Sequence, residues 1–150
     1  SSLELAINNS IRYDMQKKLI DTNNIDIMTA LATNKYLHKD IFYELVAKKD
    51  ENINIAIYRN PSVQKTTLAK AYKNKKYYTS LASNENTPED ILQKLSQSED
   101  TVILLGLAKN PSTPIDVLYQ LQLDSRFERS VKENPTFGRH IQTENIGWQE

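Results

Sequence analysis

Apolar residues recur along this chain in a fixed relation to an asparagine. The clearest copies are Leu31-Ala32-Thr33-Asn34, Leu81-Ala82-Ser83-Asn84 and Leu107-Ala108-Lys109-Asn110, with weaker ones at Leu5-Ala6-Ile7-Asn8, Ile57-Tyr58-Arg59-Asn60 and Val131-Lys132-Glu133-Asn134. The landmark asparagines stand at 8, 34, 60, 84, 110 and 134, separated by 26, 26, 24, 26 and 24 residues. A period that tolerates two-residue slips predicts helices of constant length joined by turns that absorb the difference.

Two helices per repeat follow from the columns around each asparagine. Seven residues after it come Met15, Ile41, Thr67, Ile91, Val117 and Ile141, and eleven after it Leu19, Leu45, Ala71, Leu95 and Leu121. Apolar residues four apart share one helix face, here helix A. Its start is predicted at Thr87-Pro88-Glu89-Asp90 and Thr113-Pro114-Ile115-Asp116: Thr caps, Pro takes the first helical position, and the acid reaches back to the cap. Helix B precedes the asparagine and is capped ten residues upstream by Asn24, Asp50, Asn74, Asp100 and Asp124, whose side-chain oxygens accept from unpaired N–H groups. Its apolar stripe is Ile27, Ile53, Tyr77, Ile103 and Phe127, then Leu31, Ile57, Leu81, Leu107 and Val131; between them runs a small-residue column, Ala30, Ala56, Ser80, Gly106 and Ser130. Small residues let a neighbouring helix approach closely. Helix B should be roughly eight or nine residues long, below the ~12 a free peptide needs, so it persists only by packing. Polar Glu4 and Gln142 at the two ends suit faces that meet water.

The unit LA-x-N-P-x-TP-x-D-[IV]-L-xx-L, read at Leu81 to Leu95 and Leu107 to Leu121, resembles the leucine-rich repeat variant family, which is loosely akin to HEAT-like helical repeats. The likeness runs from Leu5 to about Gln142; the repeats at Asn8, Asn34 and Asn60 lack the Thr-Pro, and that at Asn134 keeps only the Asn-Pro. The resemblance implies an all-α fold, a right-handed α-helical solenoid of about six two-helix repeats over residues 1–142; residues 143–150, with Trp148, lie beyond the last repeat and read as a C-terminal tail or a cap on its end. It implies little about activity. An iron–sulfur segment carried by cysteines in some members has no counterpart, since this chain has no cysteine. An ordinary leucine-rich repeat needs apolar residues two after the asparagine, where Tyr36, Ser62, Asn86, Ser112 and Thr136 stand instead.

Composition narrows the function without naming it. Hydrophobic residues make up 39% and charged residues 25%, and 19 basic residues balance 19 acidic ones, so any electrostatic function must come from local patches. Without cysteine a reducing interior such as the bacterial cytoplasm fits, and no apolar stretch approaches the ~18 residues of a membrane span. The opening Ser1-Ser2-Leu3-Glu4 has no leader design and suggests a processed chain or a piece of a larger parent. His38 and His140 lie in distant repeats, and three glycines in all make no phosphate-binding loop. No catalytic constellation, metal site or cofactor is expected. The asparagines Asn34, Asn60, Asn84, Asn110 and Asn134 are expected to be structural, satisfying backbone groups at the B-to-A turn.

One surface remains for a partner. Positions eight, five and one before each asparagine share the outer face of helix B, and there stand Ile55, Arg59, Lys76, Leu105, Lys109, Arg126 and Arg129, with Asp26 and Glu133 as acids. These residues are expected to bind a partner polypeptide, making the chain a non-catalytic interaction scaffold. Nucleic acid is the alternative partner: Asn52 to Asn84 carries no acid but holds Arg59, Lys65, Lys70, Lys73, Lys75 and Lys76 among Tyr58, Tyr72, Tyr77 and Tyr78, a mixture able to track phosphates and stack bases.

Overall fold

The computed structural model describes residues 2–7 and 12–149, and among them every regular element is helical. Asn8 and Ile11 lie outside the described residues, and so does the side chain of Trp148. The helices are α1 (Ser2–Ile7), α2 (Tyr13–Ile20), α3 (Ile25–Ala32), α4 (Lys39–Ala47), α5 (Glu51–Arg59), α6 (Lys65–Ala71), α7 (Tyr78–Ser83), α8 (Glu89–Leu95), α9 (Thr101–Lys109), α10 (Ile115–Gln122), α11 (Glu128–Glu133) and α12 (Pro135–Gln149). They gather into two compact units, Ser1–Gln64 and Lys65–Glu150. In the first, α3 packs against α1 and α5, and α2 against α4; in the second, α9 packs against α7 and α11, and α10 against α12. Within each unit helix B therefore lies on helix B. Helix α12 runs unbroken past residue 142, docked by an edge contact of Phe137 with Tyr119 at 5.2 Å between ring centres and by the Tyr119 hydroxyl on Glu144 at 3.2 Å.

The apolar columns form the core. Leu31, Ile57, Leu81, Leu107 and Val131, three before the asparagine, are each fully buried, as are Ile41 and Leu45 of α4. The small-residue column does what its size permits: a Cβ on Gly106 of α9 would stand 3.0 Å from the Ser83 hydroxyl and 3.2 Å from the Ala82 Cβ of α7.

Each cap of helix B accepts as its side chain allows. Asn24 takes the N–H groups of Asp26 and Ile27 at 3.0 and 3.2 Å, Asp50 that of Ile53 at 3.0 Å, Asn74 that of Lys76 at 3.0 Å, Asp100 that of Val102 at 2.8 Å and Asp124 that of Arg126 at 2.9 Å. The start of helix A differs from expectation. Pro88 and Pro114 are the capping residues, with extended backbones, rather than the first helical ones. The threonines before them instead turn their hydroxyls back onto the preceding helix B, Thr87 to the Leu81 carbonyl and Thr113 to the Leu107 carbonyl, each at 2.7 Å. Each of these carbonyls also accepts the N–H three residues on, that of Asn84 at 3.3 Å and that of Asn110 at 3.2 Å, so the hydroxyl fills its second acceptor site.

Helix lengths are not constant either. Helices α3, α5 and α9 have eight, nine and nine residues, but α7 and α11 only six. The two shortened repeats lose their residues between helix A and the cap of helix B, at Ala71–Asn74 and Leu121–Asp124. In the first, a 3₁₀ turn, Lys75–Tyr77, precedes α7; such a turn rises ~2.0 Å per residue against ~1.5 Å in an α-helix, extending helix B toward the shorter connection. The full-length connections of the first unit instead close through left-handed Asn23 (φ 51°) and Lys49 (φ 54°).

The asparagines sew consecutive turns together. The Nδ2 of Asn60 donates to the carbonyls of Ala32 (2.7 Å) and Asn34 (2.9 Å), that of Asn110 to Ala82 (2.9 Å) and Asn84 (3.0 Å), and that of Asn134 to Ala108 and Asn110 (both 2.9 Å); Asn34 donates to Ala6 at 3.0 Å. Each Oδ1 accepts from the N–H two residues on, Tyr36, Ser62, Asn86, Ser112 and Thr136, at 2.9 to 3.0 Å. Hydroxyls two after the asparagine add a second row: Ser62 donates to the Lys35 carbonyl, Ser112 to that of Glu85, and Thr136 to that of Pro111 at 2.6 Å.

Asn110→Ala removes two buried hydrogen bonds and one partly buried one and should lower unfolding stability by about 3 kcal/mol, measured by urea titration. In Asn110→Asp a carboxylate would face the Ala82 and Asn84 carbonyls, so its folded pKa should lie above the unfolded value near ~4. That variant should be least stable at neutral pH and gain stability as the pH falls through the folded pKa toward ~4; a flat profile would contradict the ladder. Gly106→Val should cost about 2 kcal/mol by overpacking against Ala82, read as a shift in the same titration midpoint.

Candidate functional site

With the B-to-A turns occupied by their own hydrogen bonds, the outer face of helix B is a surface on which side chains differ from repeat to repeat. It is built in the same way in both units: the stripe at three and seven before the asparagine points inward, leaving positions eight, five and one outward.

In the first unit this face is a groove of about 520 Å³ between α3 and α5. Small Ala30 and Ala56 lie in it, Thr29 and half-buried Ile55 form its sides, and Ile25 adds an apolar surface that is 42% exposed. Asp26 and Asn52 stand at the end formed by the helix N-termini, and Arg59 and Thr33 at the C-terminal end. Of the expected binding residues, Ile55 and Arg59 are thus brought together with Asp26.

In the second unit Lys76, Lys109, Arg126 and Arg129 are exposed and Leu105 is half-buried, with Val102 beside it 57% exposed. The basic character is weaker than the residue types suggest. Asp124 grips Arg126 through both carboxylate oxygens, with Nη2 at 2.7 Å and Nε at 3.1 and 3.2 Å. Arg129 meets Glu133 at 3.1 Å, and Lys132 meets Glu128 at 2.8 Å. The Arg126 side chain and its backbone N–H, by hydrogen bonding, hold the Asp124 carboxyl below the usual aspartate range. The Arg126 guanidinium also lies over the Phe127 ring at 5.0 Å.

The interleaved tyrosines are engaged as well. Tyr72 and Tyr78 stack on each other, ring centres 4.8 Å apart and 10° from parallel, with Lys94 5.6 Å from the Tyr72 ring. Desolvation, followed by the hydrogen bond with Tyr72, pushes the Tyr78 phenol pKa up. The face that each ring turns to the other is closed to bases. Tyr77, placed in the core column, is only half-buried.

The histidines take structural posts. His38 caps α4, its Nδ1 accepting from the Asp40 N–H at 3.2 Å, and its ring lies 4.3 Å from that of Tyr13. His140 pairs with Glu144 at 3.1 Å, one turn along α12. Gln16 was not anticipated. It is buried in a position that elsewhere holds Phe42, Leu68, Leu92, Leu118 and Gln142, and its amide donates to the Tyr36 carbonyl at 3.1 Å and accepts from the His38 N–H at 2.8 Å. The hydroxyl column at Ser62, Ser112 and Thr136 also went unread, although three hydroxyl residues at one repeat position were a visible signal. Among the described residues no group of three or more metal-ligating side chains converges, and no helix is long and apolar enough to cross a membrane.

Replacing Arg126 by Ala should let Asp124 titrate upward toward the ordinary aspartate value, seen in its carboxyl carbon resonance; because the folded pKa is depressed, the small stability this pair adds should be present near neutrality and lost as pH falls through that pKa. No protein-family model, no curated protein and no solved structure matches this chain.

Proposed function

We propose that this chain is a helical-repeat protein of the leucine-rich repeat variant kind, loosely HEAT-like, whose helix pairs continue as a right-handed solenoid. In this reading it is a non-catalytic scaffold of the cytoplasm that holds a partner polypeptide on the outer faces of its B helices. The observation that carries the proposal is the contrast between the two sides of helix B. Its inward residues Leu31, Ile57, Leu81, Leu107 and Val131 are fully buried and its turn polar groups are engaged by the asparagine ladder, while its outer face keeps apolar Ile25 and Val102 in water. Apolar side chains rimmed by charge on an otherwise polar surface suit a protein partner. The nucleic-acid reading is weakened by the same geometry, since Arg126 and Arg129 already have carboxylate partners and Tyr72 and Tyr78 stack on each other.

For the architecture, solution scattering should return a radius of gyration above the ~15 Å of a compact 150-residue domain; a value at or below it would argue against an extended repeat array. For the function, affinity capture from the source organism should recover a protein that is lost with Leu105→Glu or Ile55→Glu, circular dichroism confirming that each variant folds. Capture indifferent to both would place the binding face elsewhere. Steeply salt-dependent binding of labelled DNA, weakened by Lys109→Glu, would favour the alternative.

A further inference from the structure

We infer that the groove between α3 and α5 receives an extended peptide segment bearing a cation and a carboxylate three residues apart, with an aliphatic side chain between them. This rests on the scaffold reading and specifies the chemistry of its partner.

The argument begins with two unanswered charges. Among the described residues neither Asp26 nor Arg59 has an ion-pair partner, whereas the stripe cations of α11 and the turn before it are paired within their own repeat. Both line the groove, and they mark opposite ends. Helices α3 and α5 lie side by side, their C-terminal ends joined where the Asn60 amide donates to the Ala32 carbonyl at 2.7 Å. Asp26 stands eight positions before one landmark asparagine and Arg59 one position before the next. Seven residues of helix rise ~10 Å, which an extended chain covers in about three residues at ~3.3 Å each.

Between the charges the lining is apolar and small, with Ile55 and Ile25 offering surface and Thr29 a hydroxyl. About 520 Å³ suits several side chains of such a segment. A segment with two like charges would match one end and repel the other; a wholly apolar one would leave both charges partly desolvated without a partner. The groove therefore selects opposite charges at the spacing of its own ends, in either chain direction.

The test is selection from a random twelve-residue peptide library displayed against the intact chain, followed by fluorescence anisotropy on synthetic peptides of the forms Lys-Leu-Thr-Glu, Lys-Leu-Thr-Lys and Glu-Leu-Thr-Glu within a neutral flank. The mixed-charge peptide should bind best, each exposed ion pair contributing up to about fivefold. Arg59→Glu, an exposed substitution that leaves the core untouched, should switch the preference to the Lys-Leu-Thr-Lys form. Amide shifts on binding should centre on Thr29 and Ile55. Selected peptides indifferent to Arg59→Glu, or shifts confined to α9 and α11, would overturn the groove assignment while leaving the scaffold reading intact. Failure to enrich any peptide would also overturn the groove assignment, and the capture experiment, which depends on no particular groove, then decides the scaffold reading alone.

Discussion

A helix that ends inside a protein leaves carbonyls without partners, and a protein built from many short helices meets this demand at every turn. Here one side chain answers it. The amides of Asn34, Asn60, Asn110 and Asn134 reach carbonyls at the end of the preceding helix B or in its turn, and their oxygens hold the N–H two residues ahead. The apolar columns supply most of the stabilisation, because burial of an aliphatic side chain is worth about 1.5–3 kcal/mol and each repeat buries several. Aliphatic packing is nevertheless indifferent to small slips. Slipping a repeat by one residue would strand about three hydrogen bonds, roughly 3 kcal/mol against a total stability of about 5–15 kcal/mol. The ladder thus sets the register that packing alone would leave loose.

This division of labour shapes the surface. Because the turn and the inner stripe are committed to holding consecutive repeats together, the outer positions of helix B are under no comparable constraint. Repeat by repeat they hold Asp26 and Thr29, Ile55 and Arg59, Val102 and Leu105, Arg126 and Arg129. Some of these charges are neutralised from within, as where Asp124 serves both as cap and as partner of Arg126. Others, Asp26 and Arg59 among them, are left facing water.

Much of this was legible in the residues themselves. The period, the two helices, the B caps and the buried columns follow from spacing, since helical periodicity and capping are local chemistry. What escaped was set by distance along the chain. Thr87 and Thr113 looked like caps because a threonine before a proline usually is one; their real acceptors, Leu81 and Leu107, lie six residues back across a turn whose geometry no local pattern encodes. Gln16 was invisible for the same reason: its partners at 36 and 38 belong to the next repeat. The shortening of α7 and α11 came from connections two residues tighter, a constraint written in the spacing but felt in the helix. In the candidate site, residue types identified the exposed face, but which cations keep their charge available depended on rotamers that bring Arg129 to Glu133 and leave Arg59 without an ion-pair partner among the described residues.

The ladder also has a direction. Asn34, Asn60, Asn110 and Asn134 each donate toward the turn that precedes them in the chain. A repeat leaving the ribosome therefore finds its acceptors already emerged, and the nascent chain has no need to wait for later residues before each new turn is anchored. Loss of a repeat from the carboxyl end leaves the remaining amides fully bonded, whereas loss from the amino end strips the next one of its acceptors.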